Sequence, residues 1–434
     1  MRRSKLIVPF IFSFFLLALG VLSWASFRYD RWASIQLNAF PLPLDASAYG
    51  FVTQQWGFPD PGTAQPIPAF LAQSLAFLAE AQDEDGGWGA GLHSRQDIRD
   101  PHAVTTDPAT TAMVAMAYLR SGSDLQQGAY RDNLRQATSY LLTAVENTSP
   151  NAGNITELTG TQPQQKLGAN VDVALTAQFL ARLIPHTEQD PALQGRVLAA
   201  LDHCVAMLEA SQHEDGSWNA RGWAPVLNSA MGNIALELAE RVGRPVNQNV
   251  LRRAQAYQQQ NVHEGGVRTE SAAGVPLYAL SSTQRSTASS ANRARQALAD
   301  EFQQETDTLS YDLAYEALSN QGFAEEEAED MARAYVTNVS AARQVVRDDV
   351  QQGFGNNGGE EFLSHMLTSE SLAAVGGQEW ASWHQRMSEL YGSIQNSNGS
   401  WSGHHCITSP VFCTAAVAMA LTADREPKAL MASL

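Results

Sequence analysis

The sequence contains little positive charge and almost no lysine. Of its 434 residues, 28 are Lys or Arg and 45 are Asp or Glu, which gives a formal net charge of -17. Lysine occurs only at Lys5, Lys166 and Lys428. Because an acidic surface repels a phosphate backbone, this composition argues against nucleic acid as a partner. We therefore expect no nucleic-acid binding.

Cysteine is also scarce, since the chain has only three. Three thiols cannot form the disulfide framework of a small secreted domain, although they permit one bridge. Cys204 lies in the apolar stretch LDHCVAMLEA, so we interpret it as a core residue. With 434 residues and 44% hydrophobic content, the chain can bury a large core as two domains or as one repeat array.

A short pattern from Gln to Trp occurs three times. It reads QDEDGGW in Gln82–Trp88, QHEDGSW in Gln212–Trp218 and QNSNGSW in Gln395–Trp401. In each copy we expect Gln to end an amphipathic helix, the polar residues and Gly to form a tight turn, and Trp to fold back over the helix. A fixed pattern that returns after successive helical segments is typical of a repeat protein.

Two kinds of predicted helix alternate along the body of the chain. The outer kind ends at a Gln-to-Trp turn or at a weaker copy of it, and comprises Ala69–Ala81, Tyr130–Val145, Val197–Ser211, Val250–Gln260, Ala332–Val350 and Gln385–Ile394. The inner kind is small and apolar nearly all round, and comprises Pro108–Leu119, Val171–Leu183, Leu227–Leu238, Ser271–Leu280, Glu361–Val375 and Phe412–Leu421. A helix that is apolar on every side is a buried helix.

Six inner helices surrounded by six outer helices predict an all-α fold, an (α/α)6 toroid whose helical hairpins close into a ring. We expect the ring to cover residues 68–424, after an irregular lead-in rich in Pro and Trp at residues 28–67 and before a tail at residues 425–434. The stretch at about 281–331 is polar and breaks the pattern. We expect it to be a solvated helical insertion.

The N-terminus carries a separate signal. The basic residues of MRRSK precede Leu6–Ala25, about twenty residues without a charge, which is enough to cross a bilayer. We expect residues 1–27 to hold the protein in a membrane by one transmembrane helix, with the body on the extracytoplasmic side because the positive charges stay inside. The alternative is a signal peptide cleaved near Ser23–Ala25, which would release a secreted or periplasmic protein.

The repeats resemble those of the protein prenyltransferase and squalene–hopene cyclase superfamily, whose QW-type turns share this Gln–Gly–Trp form. The resemblance covers residues 68–424 and implies the toroid fold. It also implies an enzyme, or a degenerate enzyme, with an isoprenoid-like or peptide ligand in a deep central cavity. The alternative is a binding or scaffold module with a filled centre, which presents a concave surface to a protein or glycan partner.

The residues that open parallel inner helices should meet at one mouth of the ring. Asp107 and Asp172 hold such positions, although Asp there is also a common helix N-cap. Glu361 and His365, preceded by Glu360, stand four residues apart on one helix face, which suits metal binding or an acid–base pair. A buried ion pair is the alternative for these two. We take Asp107, Asp172, Glu361 and His365 as catalytic candidates.

The stretch Gly403–Cys413, GHHCITSPVFC, offers two imidazoles and two thiols within ten residues, which are ligands for tetrahedral zinc. We therefore predict a zinc site formed by His404, His405, Cys406 and Cys413. The prenyltransferases of the superfamily hold zinc at the mouth of the barrel, but their Asp-x-Cys pair with a distant His is absent here. A Cys406–Cys413 disulfide or free structural thiols are the alternatives.

Several motifs of related enzymes are missing from the sequence. It contains no DxDD run, which supplies the protonating acid of class II terpene cyclases, and no DDxxD run for a diphosphate–magnesium site. The GCGEQ thioester and the G-x-S-x-G nucleophile elbow are absent as well. These absences argue against a terpene cyclase, a complement-type toroid and a serine hydrolase.

Overall fold

A computed structural model of the chain describes residues 64–149, 151–218, 223–263, 266–299, 309–355 and 357–431. The chain divides into two units, Met1–Val52 and Thr53–Leu434, and every described residue belongs to the second. The transmembrane helix expected at residues 1–27 and most of the lead-in lie outside the described residues. Within the described part, none of the helices has the length and apolar character needed to cross a bilayer.

The described residues are predominantly α-helical, which confirms the all-α class. They form helices α1 Leu71–Glu80, α2 Pro108–Arg120, α3 Arg131–Glu146, α4 Gln162–Leu167, α5 Val171–Leu183, α6 Pro191–Ser211, α7 Pro225–Arg241, α8 Gln248–Gln259, α9 Pro276–Ala297, α10 Tyr311–Asn320, α11 Glu325–Val345, α12 Asp348–Gln351, α13 Gly359–Val375, α14 Gly377–Ile394 and α15 Pro410–Leu421. Two short strands, β1 Val262–His263 and β2 Gly266–Val267, pair antiparallel between α8 and α9.

Six helices, α2, α5, α7, α9, α13 and α15, are buried along most or all of their length. In this order each packs against the next, and α15 packs against α2 again. Each of them also packs against one amphipathic helix, the partners being α3, α6, α8, α11, α14 and α1 in turn. Five of the six inner helices and five of the six outer helices therefore lie where the sequence periodicity predicts them. The outer helix expected at Ala332–Val350 instead begins at Glu325, within the expected insertion, and ends at Val345, and α12 follows it as a separate helix.

The fourth inner helix contradicts the expectation of a solvated insertion from residue 281. Helix α9 begins at Pro276 and continues to Ala297, and its residues 281–288 are all buried. Some of their hydroxyl groups donate to backbone carbonyls, as when Thr283 donates to the Gln258 carbonyl at 2.8 Å and Thr287 to the Thr283 carbonyl at 2.8 Å. The buried hydroxyl groups of Ser282 and Ser286 have no hydrogen-bond partner among the described residues. Small hydroxyl side chains can therefore line a core helix that reads as polar in sequence.

The three Gln-to-Trp turns make the same set of hydrogen bonds. Each indole Nε1 donates to a carbonyl ten residues earlier: Trp88 to Leu78 at 2.7 Å, Trp218 to Leu208 at 2.8 Å, and Trp401 to Tyr391 at 3.0 Å. Each glutamine amide donates to the carbonyl of the turn glycine, whose φ is 87°, 88° and 86° in the three copies. These contacts explain why Gln, Gly and Trp recur together.

The same glutamines join each turn to a second outer helix. Their amides donate to Asn133 of α3 at 3.0 Å from Gln82, to Val250 of α8 at 2.9 Å from Gln212, and to Ser74 of α1 at 2.9 Å from Gln395. The third of these contacts links residues that are 321 positions apart in sequence. The last turn of the body is thereby fastened to its first helix.

Six charged side chains lie buried where the inner helices meet. Glu370 of α13 contacts three arginines, at 2.6 Å from Arg120, 3.3 Å from Arg182 and 2.8 Å from Arg285. Glu237 pairs with Arg285, and Glu426 pairs with Arg120 and Arg182. Burial favours the neutral acid, but the three guanidinium groups hold the pKa of Glu370 far below its ordinary value. Glu426 belongs to the expected tail, so the described part of that tail contributes a side chain to the core.

Gly399 tests the closing contact of the third turn, because a Cβ there would lie 2.9 Å from the Gln73 carbonyl oxygen of α1. We expect Gly399→Ala to lower the free energy of unfolding by about 2–4 kcal/mol, from left-handed backbone strain and steric conflict together. Gly243→Ala is the matched control, since Gly243 has φ 75° and open space around it. It should cost only about 1–2 kcal/mol. Urea denaturation measures both variants, and equal losses of unfolding free energy would contradict the close contact between Gly399 and Gln73.

The charge cluster predicts a strong effect of neutralising Glu370. Glu370→Gln keeps the size of the side chain but leaves buried guanidinium charge without its shared carboxylate, and should cost about 3–5 kcal/mol of unfolding free energy. Glu389→Gln on the exposed face of α14 should change stability by no more than about 0.5 kcal/mol. Chemical denaturation at neutral pH measures both changes. If Glu370→Gln left the unfolding free energy unchanged, the shared carboxylate would contribute nothing to stability.

Candidate functional site

The histidine–cysteine loop lies across the start of α13. The Gly359 amide donates to the Ile407 carbonyl at 2.9 Å, and the His404 amide donates to the Asn357 carbonyl at 2.8 Å. The other side of the loop is held by Gln162 of α4, whose side-chain oxygen accepts from the Thr408 amide at 2.6 Å and the Ser409 amide at 3.1 Å. Two separate segments, the start of α13 and α4, thus fix this loop.

Glu360, His405 and Cys406 converge at this place. One carboxylate oxygen, one ring nitrogen and the thiol sulfur of these residues all lie within 4.8 Å of one another. Glu360 is fully buried, its Oε2 accepts from the Ile407 amide at 3.4 Å, and its Oε1 has no hydrogen-bond partner. Burial and the adjacent Glu361 raise the pKa of Glu360 to about 7.

The backbone and the pKa of Cys406 are both unusual. Its φ of 63° places it in the left-handed region, which residues with a Cβ rarely occupy. Burial and the neighbouring Glu360 raise the pKa of its thiol to about 11. Such backbone outliers tend to occur at functional sites.

Lys166 of α4 brings a positive charge to this group, since its ammonium acts against burial and Glu360 and lowers the pKa of the Cys406 thiol. The ammonium also lies 4.6 Å from the ring centre of Trp223, a cation–π contact. Trp223 meets Phe354 edge to face at 6.0 Å, and Phe354 meets the His405 ring at 5.2 Å. The side chains of Trp223 and Phe354 are 40% and 52% exposed, so this flank of the group is open to solvent.

Among the described residues, the group includes two of the four predicted zinc ligands, His405 and Cys406. His404 is exposed and lines a separate cleft. Cys413 is buried in the first turn of α15, and its thiol donates to the Ile407 carbonyl at 3.7 Å. All three cysteines are free thiols, so the alternative of a Cys406–Cys413 disulfide is not realised.

Asp107 and Asp172 are close together but are occupied by structural contacts. Asp107 caps α2 by accepting from the Thr110 amide at 2.7 Å, and it also accepts from the Ala90 amide at 2.8 Å. Asp172 accepts from the Ala109 amide at 3.1 Å and from the side chains of Asn154 and Gln164. Burial and then Asp172 raise the pKa of Asp107 to about 7. Because every oxygen has a donor, these carboxyl groups fit the structural alternative.

Glu361 is likewise committed to its own loop. Its Oε2 accepts from the Gly358 amide at 2.7 Å, which satisfies the N-cap amide of α13. Its Oε1 accepts from the Tyr278 hydroxyl at 2.6 Å and from the Phe354 amide at 3.0 Å. Glu361 therefore positions the loop that carries Phe354.

His365 does not form the expected pair with Glu361. Its Nδ1 is 2.8 Å from the Tyr391 hydroxyl, while its buried Nε2 has no hydrogen-bond partner. Burial, with a smaller contribution from Arg386, lowers the pKa of His365 to about 3. A neutral, buried imidazole between α13 and α14 is a packing residue with one satisfied nitrogen.

Sequence reasoning placed Glu360 near the mouth without assigning it a role, and it gave no role to Lys166 or Trp223. Lys166 did carry a signal, since it is one of only three lysines in an acidic chain. The sequence matches no protein-family model and no curated protein. Its function is therefore argued from the geometry of this site.

His365 predicts a loss of stability in acid. Its folded-state pKa lies below the unfolded value of 6.5, so the unfolded chain binds a proton that the native protein does not. This difference should remove about 2 kcal/mol of unfolding free energy between pH 7 and pH 5. His365→Gln keeps an acceptor for Tyr391 and should lose this part of the pH dependence. The exposed His102→Gln variant should retain it, and unfolding titrations at several pH values distinguish the two.

Proposed function

We propose that the chain is an (α/α)6 toroid of the prenyltransferase and squalene–hopene cyclase type, tethered to a membrane by Leu6–Ala25. The support for the ring is the cyclic order of contacts among the six inner helices, together with the bond from Gln395 to α1. The support for the tether is the uncharged length of the N-terminal stretch.

The centre of this toroid argues against a large apolar ligand inside it. Residues that line an open cavity are exposed to the solvent in it, whereas the inner helices are buried along nearly their whole length. The Arg–Glu cluster adds fixed charges at their meeting point. An isoprenoid would need several hundred Å³ of apolar space. Function is therefore assigned to the mouth of the ring.

At the mouth, Glu360, His405 and Cys406 would hold a zinc ion. Carboxylate, imidazole and thiolate are the three ligand types that zinc takes from proteins. The observation that carries this proposal is the mutual distance of no more than 4.8 Å, combined with a buried Glu360 oxygen that lacks a donor. A cation at this position would supply the missing partner of that oxygen.

Three protein ligands leave a fourth coordination position, which is the pattern of catalytic zinc sites. Zinc bound there would act as a Lewis acid and would lower the pKa of a bound water. The protein's own contribution is to hold the ligands: the loop contacts fix His405 and Cys406, and Lys166 stabilises the thiolate form that binds metal. We infer a zinc-dependent enzyme that acts on a small polar substrate at the exposed flank of Trp223 and Phe354.

A non-catalytic binding module is the second candidate, and the filled centre favours it. In that case the metal would only brace the loop. Substitution of cobalt for zinc separates the two functions, because an open coordination position lets added azide change the visible spectrum. A spectrum that azide leaves unchanged supports the binding module.

Metal content tests the ligand set. Full-length protein purified without chelators should hold about one zinc per chain, as a single three-ligand site requires. Cys406→Ser and Glu360→Gln should lose the zinc, because each removes a ligand from the group. His404→Asn and Cys413→Ser should retain it, and they are the matched controls from the same loop and helix.

The opposite pattern would contradict this ligand set. If zinc were lost in His404→Asn or Cys413→Ser but retained in Glu360→Gln, the result would support the ligand set predicted from the sequence spacing. Wild-type protein without bound metal, even after incubation with zinc, would exclude the zinc site.

A further inference from the structure

The third Gln-to-Trp turn differs from the others in charge but not in structure. In the second turn, Asp215 Oδ1 accepts from the Ser217 amide at 2.9 Å and from the Ser217 hydroxyl at 2.7 Å. In the third turn, Asn398 Oδ1 accepts from the Ser400 amide at 3.2 Å and from the Ser400 hydroxyl at 2.7 Å. The turn therefore requires an oxygen at this position and does not require a negative charge.

The whole polar segment of this turn is uncharged. The first copy has Asp83, Glu84 and Asp85 between Gln and Gly, whereas the third has Asn396, Ser397 and Asn398. In a chain with 45 acidic and 28 basic residues, a copy of the turn that has two amides and a hydroxyl where the first copy has three acids is unusual. Because the turn folds with either an acid or an amide at this position, we attribute its neutral side chains to the surface that they line.

A cleft of about 530 Å³ lies against this turn. Its polar wall includes Arg99, Asn357, Asn396, Asn398, Ser402 and His404, and Phe362 and Trp401 contribute apolar surface. None of the described residues that line it is Asp or Glu. Its volume is in the range that small-molecule sites occupy.

Arg99 and His404 supply the basic groups of the cleft. Arg99 donates one N–H to the Gly403 carbonyl at 3.1 Å and forms no ion pair with a described residue. A guanidinium has five N–H donors, so others remain for a ligand. His404 is not one of the proposed zinc ligands. It lines the same cleft as Arg99, and its side chain is exposed. Amides and hydroxyl groups add neutral donors around these two.

We propose that this cleft binds a tetrahedral oxyanion, the phosphate or sulfate group of a small ligand. Arginine, amide and hydroxyl donors are the groups that bind such oxyanions in proteins. The absence of carboxylates removes the repulsion that the acidic chain would otherwise exert on an anion. The cleft does not include the proposed zinc ligands, so this proposal does not depend on the proposed enzymatic function.

The test is titration of the full-length protein with inorganic phosphate and, separately, sulfate. It is done by calorimetry with EDTA present and chloride setting a constant ionic strength, so that bound metal makes no contribution. Asn398→Asp restores the acid found in the other turns and keeps the Oδ1 acceptor. It should weaken binding by about tenfold or more, with unchanged thermal stability in the absence of anion. Arg99→Gln should weaken binding to a similar extent.

Two controls make the result specific. Asp215→Asn removes a charge at the equivalent position of the second turn, and Arg95→Gln removes a nearby arginine that pairs with Asp97 at 3.0 Å. Both variants should bind phosphate as the wild type does. Wild-type protein without saturable binding of either anion would overturn the proposal, and so would affinities that Asn398→Asp and Arg99→Gln leave unchanged. If Arg95→Gln lost as much phosphate affinity as Arg99→Gln, binding would depend on the overall surface charge and not on the cleft, which would also overturn the proposal.

Discussion

The buried cluster of three arginines and three glutamates is the interaction on which the rest of this structure depends. Glu370 alone joins arginines from α2, α5 and α9, and Glu426 brings the segment after α15 to two of the same arginines. Buried charges are tolerated only when they are paired, so the inner helices and the last segment must come together in one arrangement.

The Gln-to-Trp turn shows how one local structure can be reused with different chemistry. Its hydrogen bonds need a glutamine amide, a glycine with positive φ, an indole N–H and an acceptor oxygen two residues before the last serine or glycine. Charge is not among these requirements. The third copy is therefore able to carry amides where the first two carry acids, and its surroundings can become an anion site without loss of the fold.

The buried acids at the starts of α2, α5 and α13 differ in whether their oxygens have hydrogen-bond partners. Asp107, Asp172 and Glu361 all accept hydrogen bonds from backbone or side-chain donors, so their burial is compensated. Glu360 keeps one buried oxygen without a donor, next to an imidazole and a thiol. A lone buried acceptor is costly to a fold, and a bound cation is one way to offset that cost.

The sequence alone determined the helical class, the alternation of outer and inner helices, and the recurring turn, because each depends on local periodicity and on residues a few positions apart. Tertiary structure decided which side chains of those helices are buried and which of them are brought together. Only packing shows that the polar run from Ser281 is buried in α9, where the Thr283 hydroxyl donates to the Gln258 carbonyl at the end of α8. Likewise, spacing within GHHC could not separate His404 from His405, since neighbouring residues of a loop face different surroundings. Glu360 joins His405 and Cys406 through contacts between α13 and a loop more than forty positions away, which no local pattern records.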